Sequence, residues 1–359
     1  PFPWRQGSPS SALKNCRKPV RASLLDSREA EQMVRLCSLI AGGEEAFRKR
    51  PFVTFGTCSV VSPLTMDEDS TEMLMYYAEA ALPAHSITVP NGGLSAPFSL
   101  AGCAVQGNAE FLAASVLTQM SRPGTPLLYL GLPTMADLRT GAYASGAIET
   151  GMLDMAVAQM ARFHGVPSGG YIGQTNAKTA DAQAGFEKSM SALAGVLGGF
   201  DYLQLGGLVD GLLAFDFGQA VIDNEIALMV KRLARGLEFG EEALALGEIA
   251  EVGPGGMFIG HPHTIEGMKT TAFLPAIAER GSRREWLDGG GVDAHGRALV
   301  RAREILTESN HAVLGSDVDA RIRAEFAGLA GGDSMPPDGW EPVPAKPARR
   351  RRKGRRRPA

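Results

Sequence analysis

Two histidines separated by a single residue, His261 and His263 in GHPHT, form the one close histidine pair of the chain. On an extended segment, residues i and i+2 point to the same side, so both rings could meet one ion or one anion. No third ligand stands at a recognisable spacing, and a polar contact with substrate, or packing, outweighs a metal site. Carboxylates gather upstream in AFDFGQAVIDNEIALMVKR. Asp210 and Asp216 lie on a Gly-rich turn after a short apolar run, where carboxylates would suit a cationic substrate. Equally, Asp216, Asp223, Asn224 and Glu225 surround a helix start, where acids complement the helix dipole and solvate one face. For Glu225 that second reading is preferred.

The densest polar turn is GYIGQTNAKTADAQAGFEK, with Gln174, Asn176, Lys178, Asp181 and Gln183. Asp181 suits a helix cap. The remaining amides and charges exceed what a plain loop needs and are candidates for a site. Gln106, Asn108 and Glu110 mark another expected helix start, with Asn108 as its cap, and Asn91 opens an Asn-Gly-Gly turn. Tyr143 and Glu149 follow an apolar run at 126–130. Tyr129, Tyr143, Tyr171 and Phe215 stand near expected strand ends, where a ring face could hold a quaternary ammonium, although plain core is the commoner use of such rings.

What must position these groups is an alternation of helix and apolar run. Helices are expected at 28–48, 68–82, 107–121, 147–164, 181–197 and 219–236. Ile148, Met152, Met155, Gln159 and Phe163 show the spacing, as do Phe186, Met190, Leu193 and Leu197. Between them stand apolar runs at 52–61, 86–90, 126–130, 166–172 and 202–205, each bounded by Gly, Pro or Asn. A further short strand is possible at Pro19–Leu25. This rhythm predicts a parallel α/β sheet covered on both faces. No Gly-x-Gly-x-x-Gly or phosphate-loop motif follows the early strands, and nearly every strand ends in a Gly- or Asn-rich turn, which favours a closed TIM (β/α)8 barrel over an open sheet. Residues 241–251 and the stretch around Trp286 to about 330 read as helical, with Gly253–Gly256 breaking the chain between them.

Three regions are expected: an irregular segment at 1–27, a barrel domain at 28–330, and a Pro-rich, Arg-rich disordered tail at 331–359. Eight basic residues crowd into 349–357; without them 28 basic residues face 39 acidic ones, about −11. An acidic body argues against specific nucleic-acid binding. Four cysteines without metal-like spacing read as reduced thiols of a cytoplasmic protein. No 18-residue apolar run predicts a membrane span, and the N-terminus lacks both an apolar signal segment and an initiator methionine. The sequence is therefore expected to start inside a longer protein, leaving the barrel short of its N-terminal part.

Several strings resemble one family. SAPFSLAGCAVQGNAEFLAASVLTQMSRPGTPLLYLG, AKTADAQAGFEK, DGLLAFDFGQAVIDNEI and GEIAEVGPGGMFIGHPHT, with the Trp286 region, are similar in content and order to the trimethylamine methyltransferase family from about residue 16 to 330. The resemblance implies a TIM barrel that moves a methyl group from a methylated amine to Co(I) of a corrinoid held by a partner protein. Family members acting on trimethylamine carry pyrrolysine. This chain has only ordinary residues, so it resembles the branch acting on quaternary amines such as glycine betaine. Under that implication Gln174, Asn176, Asp210, Asp216, His261, His263, Tyr143 and Glu149 are expected on the substrate side. Asn91, Gln106 and Lys178 are expected on the corrinoid side, no residue is assigned the catalytic step, and a homo-oligomer is expected. Two alternatives stay open: another barrel enzyme, a lyase or isomerase using Lys178 as a Schiff base, or a fragment with only a binding role.

Overall fold

A computed structural model describes residues 9–24, 26–308 and 313–326. Helix α1 (Pro9–Asn15) leads into strand β1 (Val20–Ala22), and α2 (Ser27–Ala41) with α3 (Glu44–Lys49) leads into β2 (Val53–Thr57). A hairpin of β3 (Val60–Val61) and β4 (Thr65–Met66) precedes α4 (Glu68–Glu79) and β5 (Ala84–Thr88). Strand β6 (Asn91–Gly92) comes before α5 (Leu100–Ser121) and β7 (Leu127–Gly131), and β8 (Thr134–Asp137) and β9 (Ala142–Tyr143) follow. Then come α6 (Ile148–His164), β10 (Ser168–Gly170), α7 (Ala182–Gly198) and β11 (Tyr202–Leu203). A last hairpin, β12 (Leu208–Val209) and β13 (Ala214–Phe215), opens into α8 (Phe217–Ala234). Short helices α9 (Glu241–Leu244), α10 (Leu246–Val252), α11 (Pro262–Gly267) and α12 (Arg283–Asp288) precede α13 (Ala294–Thr307) and α14 (Ser316–Glu325).

The main sheet has six strands in the order β1-β2-β5-β7-β10-β11, every neighbouring pair parallel. Spatial order is chain order, with no reversal of the kind that creates the crevice of an open doubly wound sheet. The sheet is also curled. β1 and β10 are four strands apart, about 19 Å across a flat sheet. Yet the guanidinium of Arg21 on β1 lies 4.6 Å from the centroid of Tyr171, just past β10. Side chains from distant strands meet only if the sheet bends into a half-barrel.

The core fills the space between the convex face and the helices. Phe55 packs on Tyr77 of α4 at 5.3 Å, and Tyr129 stacks on Phe111 of α5 at 4.0 Å. Strand residues of opposite parity, Arg21, Thr54, Gly56 and His85 among them, fall on the concave side.

Several expected boundaries shift for physical reasons. The helix expected over 28–48 ends at Gly42, whose φ of 83° caps α2 and starts a new helix after Gly43. The helix expected from 107 begins at Leu100, capped by Ser99; its glycines lower propensity, but Gly107 lets the helix close on Pro90, where a Cβ would sit 3.0 Å away. Asn108, expected as a cap, therefore lies within the helix and bonds His164 at 2.9 Å. The run at 52–61 divides into two strands, and 241–251 into two short helices at Ala245. Within the segment read as irregular, α1 forms and buries Leu13. The tail expected at 331–359 lies outside the described residues. Helix α5 is long and apolar enough to cross a membrane by length and composition, although no 18-residue run in it is uninterruptedly apolar. It packs one face, with Cys103, Phe111 and Ala114 buried, against the sheet.

Candidate functional site

Strands β2, β5, β7 and β11 each run on into a short strand or hairpin at their C-terminal ends. β3 pairs with β4, β6 with β8, β8 with β9, and β12 with β13, so these pieces form a crown on the half-barrel. Its outward tips are apolar and exposed: Val61, Leu64, Leu94, Phe98, Leu138 and Leu213. Leu64 and Leu212 hold φ of 55° and 78°, a left-handed conformation that costs a β-carbon-bearing residue about 1 kcal/mol.

Beneath the crown the polar side chains converge. Asn176 donates through Nδ2 to the Tyr143 carbonyl at 2.7 Å, and its Oδ1 accepts from Gly146 N at 2.9 Å. Glu187 of α7 accepts from Thr175 Oγ1 at 2.5 Å, Asn176 N at 2.8 Å and Gln183 Nε2 at 2.8 Å. Gln174 donates to the Tyr171 carbonyl at 2.9 Å. Three buried atoms in this neighbourhood lack a hydrogen-bond partner: Gln174 Oε1, Ser145 Oγ and Asp154 Oδ2. Burial holds the Asp154 carboxyl well above the usual carboxylate range. The Tyr143 phenol is pushed up to about 12, by burial first and by Asp154 second, while a hydrogen bond with Gln174 acts the other way. Tyr143, Gln174 and Asn176 are thus brought together as a polar patch with unfilled acceptors.

The loops carrying this patch are fastened by an ion pair. Lys188 of α7 and Asp223 of α8 are 0% and 1% exposed and 2.9 Å apart. Lys188 also donates to the Gly173 carbonyl at 2.8 Å, and Asp223 accepts from Gly207 N at 2.7 Å and Gln219 Nε2 at 2.7 Å. Glu225, two residues on, accepts from the backbone N–H groups of Ala276, Ile277 and Ala278 at 2.7–2.8 Å. Asp223 and Glu225 therefore do not solvate a helix face. Both are buried anchors, with partners too distant in sequence to be seen there.

The other expected site residues are spread around the crown. Gln106 ties two tips together, donating to the Ser95 carbonyl at 2.7 Å and to Glu110 at 2.9 Å, while Glu110 accepts from Ser62 Oγ at 2.7 Å. Asn91 turns the chain at β6 through its backbone, leaving a buried Oδ1 without a partner. Lys178 and Asp210 form an exposed ion pair linking the 171–178 and 207–213 loops. Asp216 caps α8, accepting from Gln219 N at 2.6 Å, and meets His295 Nε2 at 2.9 Å. Glu149 lies in the first turn of α6, where an acid complements the dipole. His261 caps α11 by accepting from His263 N at 3.2 Å, and the His263 ring is exposed. Of the four aromatics, Tyr129 is core, Phe215 meets Phe217 at 5.2 Å, and Tyr171 takes the Arg21 guanidinium.

Arg21 was not singled out in the sequence. The available signal was alternation: in Val20-Arg21-Ala22 an arginine sits between apolar residues, opposite the core face. On the same face, burial first and Arg21 second push the His85 imidazole down to about 4.

The family model described as trimethylamine methyltransferase (MTTB) matches residues 9–328. A glycine betaine methyltransferase of Desulfitobacterium hafniense (strain Y51) is 32% identical over 318 residues, covering 88% of this chain and 66% of the relative. A trimethylamine methyltransferase MttB of D. hafniense (strain DSM 10664 / DCB-2) is 30% identical over 312 residues, covering 87% and 62%. One from Methanosarcina barkeri (strain Fusaro / DSM 804) is 32% identical over 278 residues, covering 77% and 55%. The chain thus spans less than two thirds of the length of each of these relatives.

Proposed function

The chain belongs to the trimethylamine methyltransferase family, and from that premise we propose that it is a methyltransferase taking a methyl group from a methylated, quaternary amine. The acceptor is a corrinoid carried by a separate protein, within a TIM barrel of which these six strands are part. The observation that carries the reading is the pairing of an apolar crown with a polar floor at one end of the sheet, the end where barrel enzymes build their sites. Val61, Leu64, Leu94, Phe98, Leu138 and Leu213 fit a broad, apolar partner face. When docked, the corrinoid supplies a Co(I) nucleophile for the methyl carbon. A quaternary ammonium needs no proton to leave, so the chain's own work is to bind, orient and exclude water. Tyr143, Gln174 and Asn176 contribute by orienting, and the crown by closing the mouth against the partner.

A Schiff-base reaction at Lys178 is disfavoured, because that lysine is exposed and paired with Asp210. Four free thiols suit a cytoplasmic enzyme. Exposed Met152, Phe186, Met190 and Leu197 on the outer helices favour self-association, which sedimentation would register.

The test mixes the 359-residue chain with cob(I)alamin and glycine betaine, carnitine, choline or trimethylamine, following methylcobalamin absorbance. Turnover with at least one quaternary amine is expected. No turnover with any of them, from protein that unfolds cooperatively, removes the proposal in favour of a binding role.

A further inference from the structure

Arg21 is a cation without an anion. A guanidinium stays charged in any folded environment, and its transfer out of water must be offset by acceptors. Among the described residues no carboxylate pairs with Arg21, and its buried Nη1 has no hydrogen-bond partner. Burial pushes its pKa down, opposed by the pull of Tyr202 and Cys58.

The side chain is aimed along the concave face. Arg21 pairs in register with Thr54, but its Cδ lies 3.8 Å from where a Cβ on Gly56 would be, two residues nearer the C-terminal end. Its guanidinium then rests 4.6 Å from the Tyr171 ring centroid. Tyr171 is the residue whose carbonyl Gln174 holds, so the guanidinium sits at the foot of the polar patch. Cys58 is exposed, and Arg21, Tyr171 and Tyr202 are each half-buried, so the side chain is partly open to solvent.

We propose that Arg21 anchors the carboxylate of a zwitterionic, betaine-type substrate, and that it selects against amines carrying only positive charge. This rests on the methylated-amine reading above and names the substrate class of that site. A planar guanidinium matches a carboxylate fork, and that pairing would satisfy Nη1. The same fixed charge repels choline or tetramethylammonium, so discrimination comes from attraction of one ligand and rejection of the other.

The test is calorimetric binding of glycine betaine, choline and acetate to the 359-residue chain and to Arg21→Gln and Arg21→Lys. The wild type should bind betaine at least tenfold more tightly than choline. Arg21→Gln should weaken betaine at least tenfold and leave choline unchanged or tighter, with Arg21→Lys between. Arg21→Gln should also melt close to the wild type, since only the Tyr171 ring loses a contact and no protein acceptor loses a partner. An unchanged betaine-to-choline ratio in Arg21→Gln, a melting point several degrees lower, or no binding of any of the three overturns the anchor. Binding of acetate alone, lost in Arg21→Gln, upholds the anchor while sinking the methylated-amine reading. Betaine and choline binding equally, both indifferent to Arg21→Gln, does the reverse.

Discussion

His85 shows how one side chain writes itself into the pH profile. Its ring is buried on the concave side of β5 against Thr54, and its pKa falls from 6.5 to about 4. Between those values the unfolded chain binds a proton at this ring that the folded chain refuses, so stability rises with pH there. The contribution is complete above pH 6.5 and lost as pH falls through about 4. Its size is on the order of 3 kcal/mol. Urea midpoints between pH 7 and 4 should therefore slope more gently in His85→Gln than in the wild type. Asp154 has the opposite sign: its folded pKa is raised, so its burial is tolerated below the ordinary carboxylate range and becomes a cost as pH rises. Asp154→Asn should raise the urea midpoint at pH 7, and the advantage should shrink on acidification. A lower midpoint at pH 7 would mean the charge is held by a favourable contact.

Elements are coupled here by a few buried polar bolts. Lys188 and Asp223 join α7 to α8 and hold the Gly173 and Gly207 turns between them. Lys188→Met leaves Asp223 buried without its cation and should cost about 3–5 kcal/mol. Hydrogen exchange should then show the 171–178 and 204–209 loops opening ahead of the sheet. Glu225→Ala removes three charge-assisted bonds to 276–278 and should cost about 3 kcal/mol or more, releasing that segment to proteolysis while the strands stay protected. At the crown, Leu64→Gly relieves a left-handed leucine and should stabilise the fold by about 1 kcal/mol. Under the proposed docking of a corrinoid protein on the crown, the same change removes an exposed apolar tip and should weaken capture in a pull-down.

At the scale of the whole molecule, the sheet was legible because short runs such as Leu127–Gly131 and Val53–Thr57 stand between Gly, Pro or Asn turns and the long helices keep their spacing, although β10 is only Ser-Gly-Gly. Strand order followed from that alternation. Closure was expected from the Gly- and Asn-rich turns and the curl agrees with part of a barrel, but the contacts that reveal it, such as Arg21 with Tyr171, are encoded by no local pattern. The crown was missed for a different reason: a two-residue strand such as Val60–Val61 has no period to detect. Asp223 and Glu225 were read as solvated because their partners stand 35 and 51 residues away. Of the candidate site, Gln174 and Asn176 stood out as a polar excess on a turn and Tyr143 as an aromatic after a strand, and the structure draws the three together. Arg21 was passed over because one arginine in a possible strand looks like an edge charge until the sheet closes around it.

The crown has a further consequence for how this scaffold could diversify. Its tips grow from different strands, while the polar floor is held from behind by α7 and α8. Under the proposed reading, the 60–66 hairpin would serve the protein partner alone, while β9 contributes both a crown strand and Tyr143 of the floor. The 60–66 hairpin could then be exchanged between homologues to redirect partner choice with the floor left intact, whereas 208–215, which holds the 171–178 loop, could not.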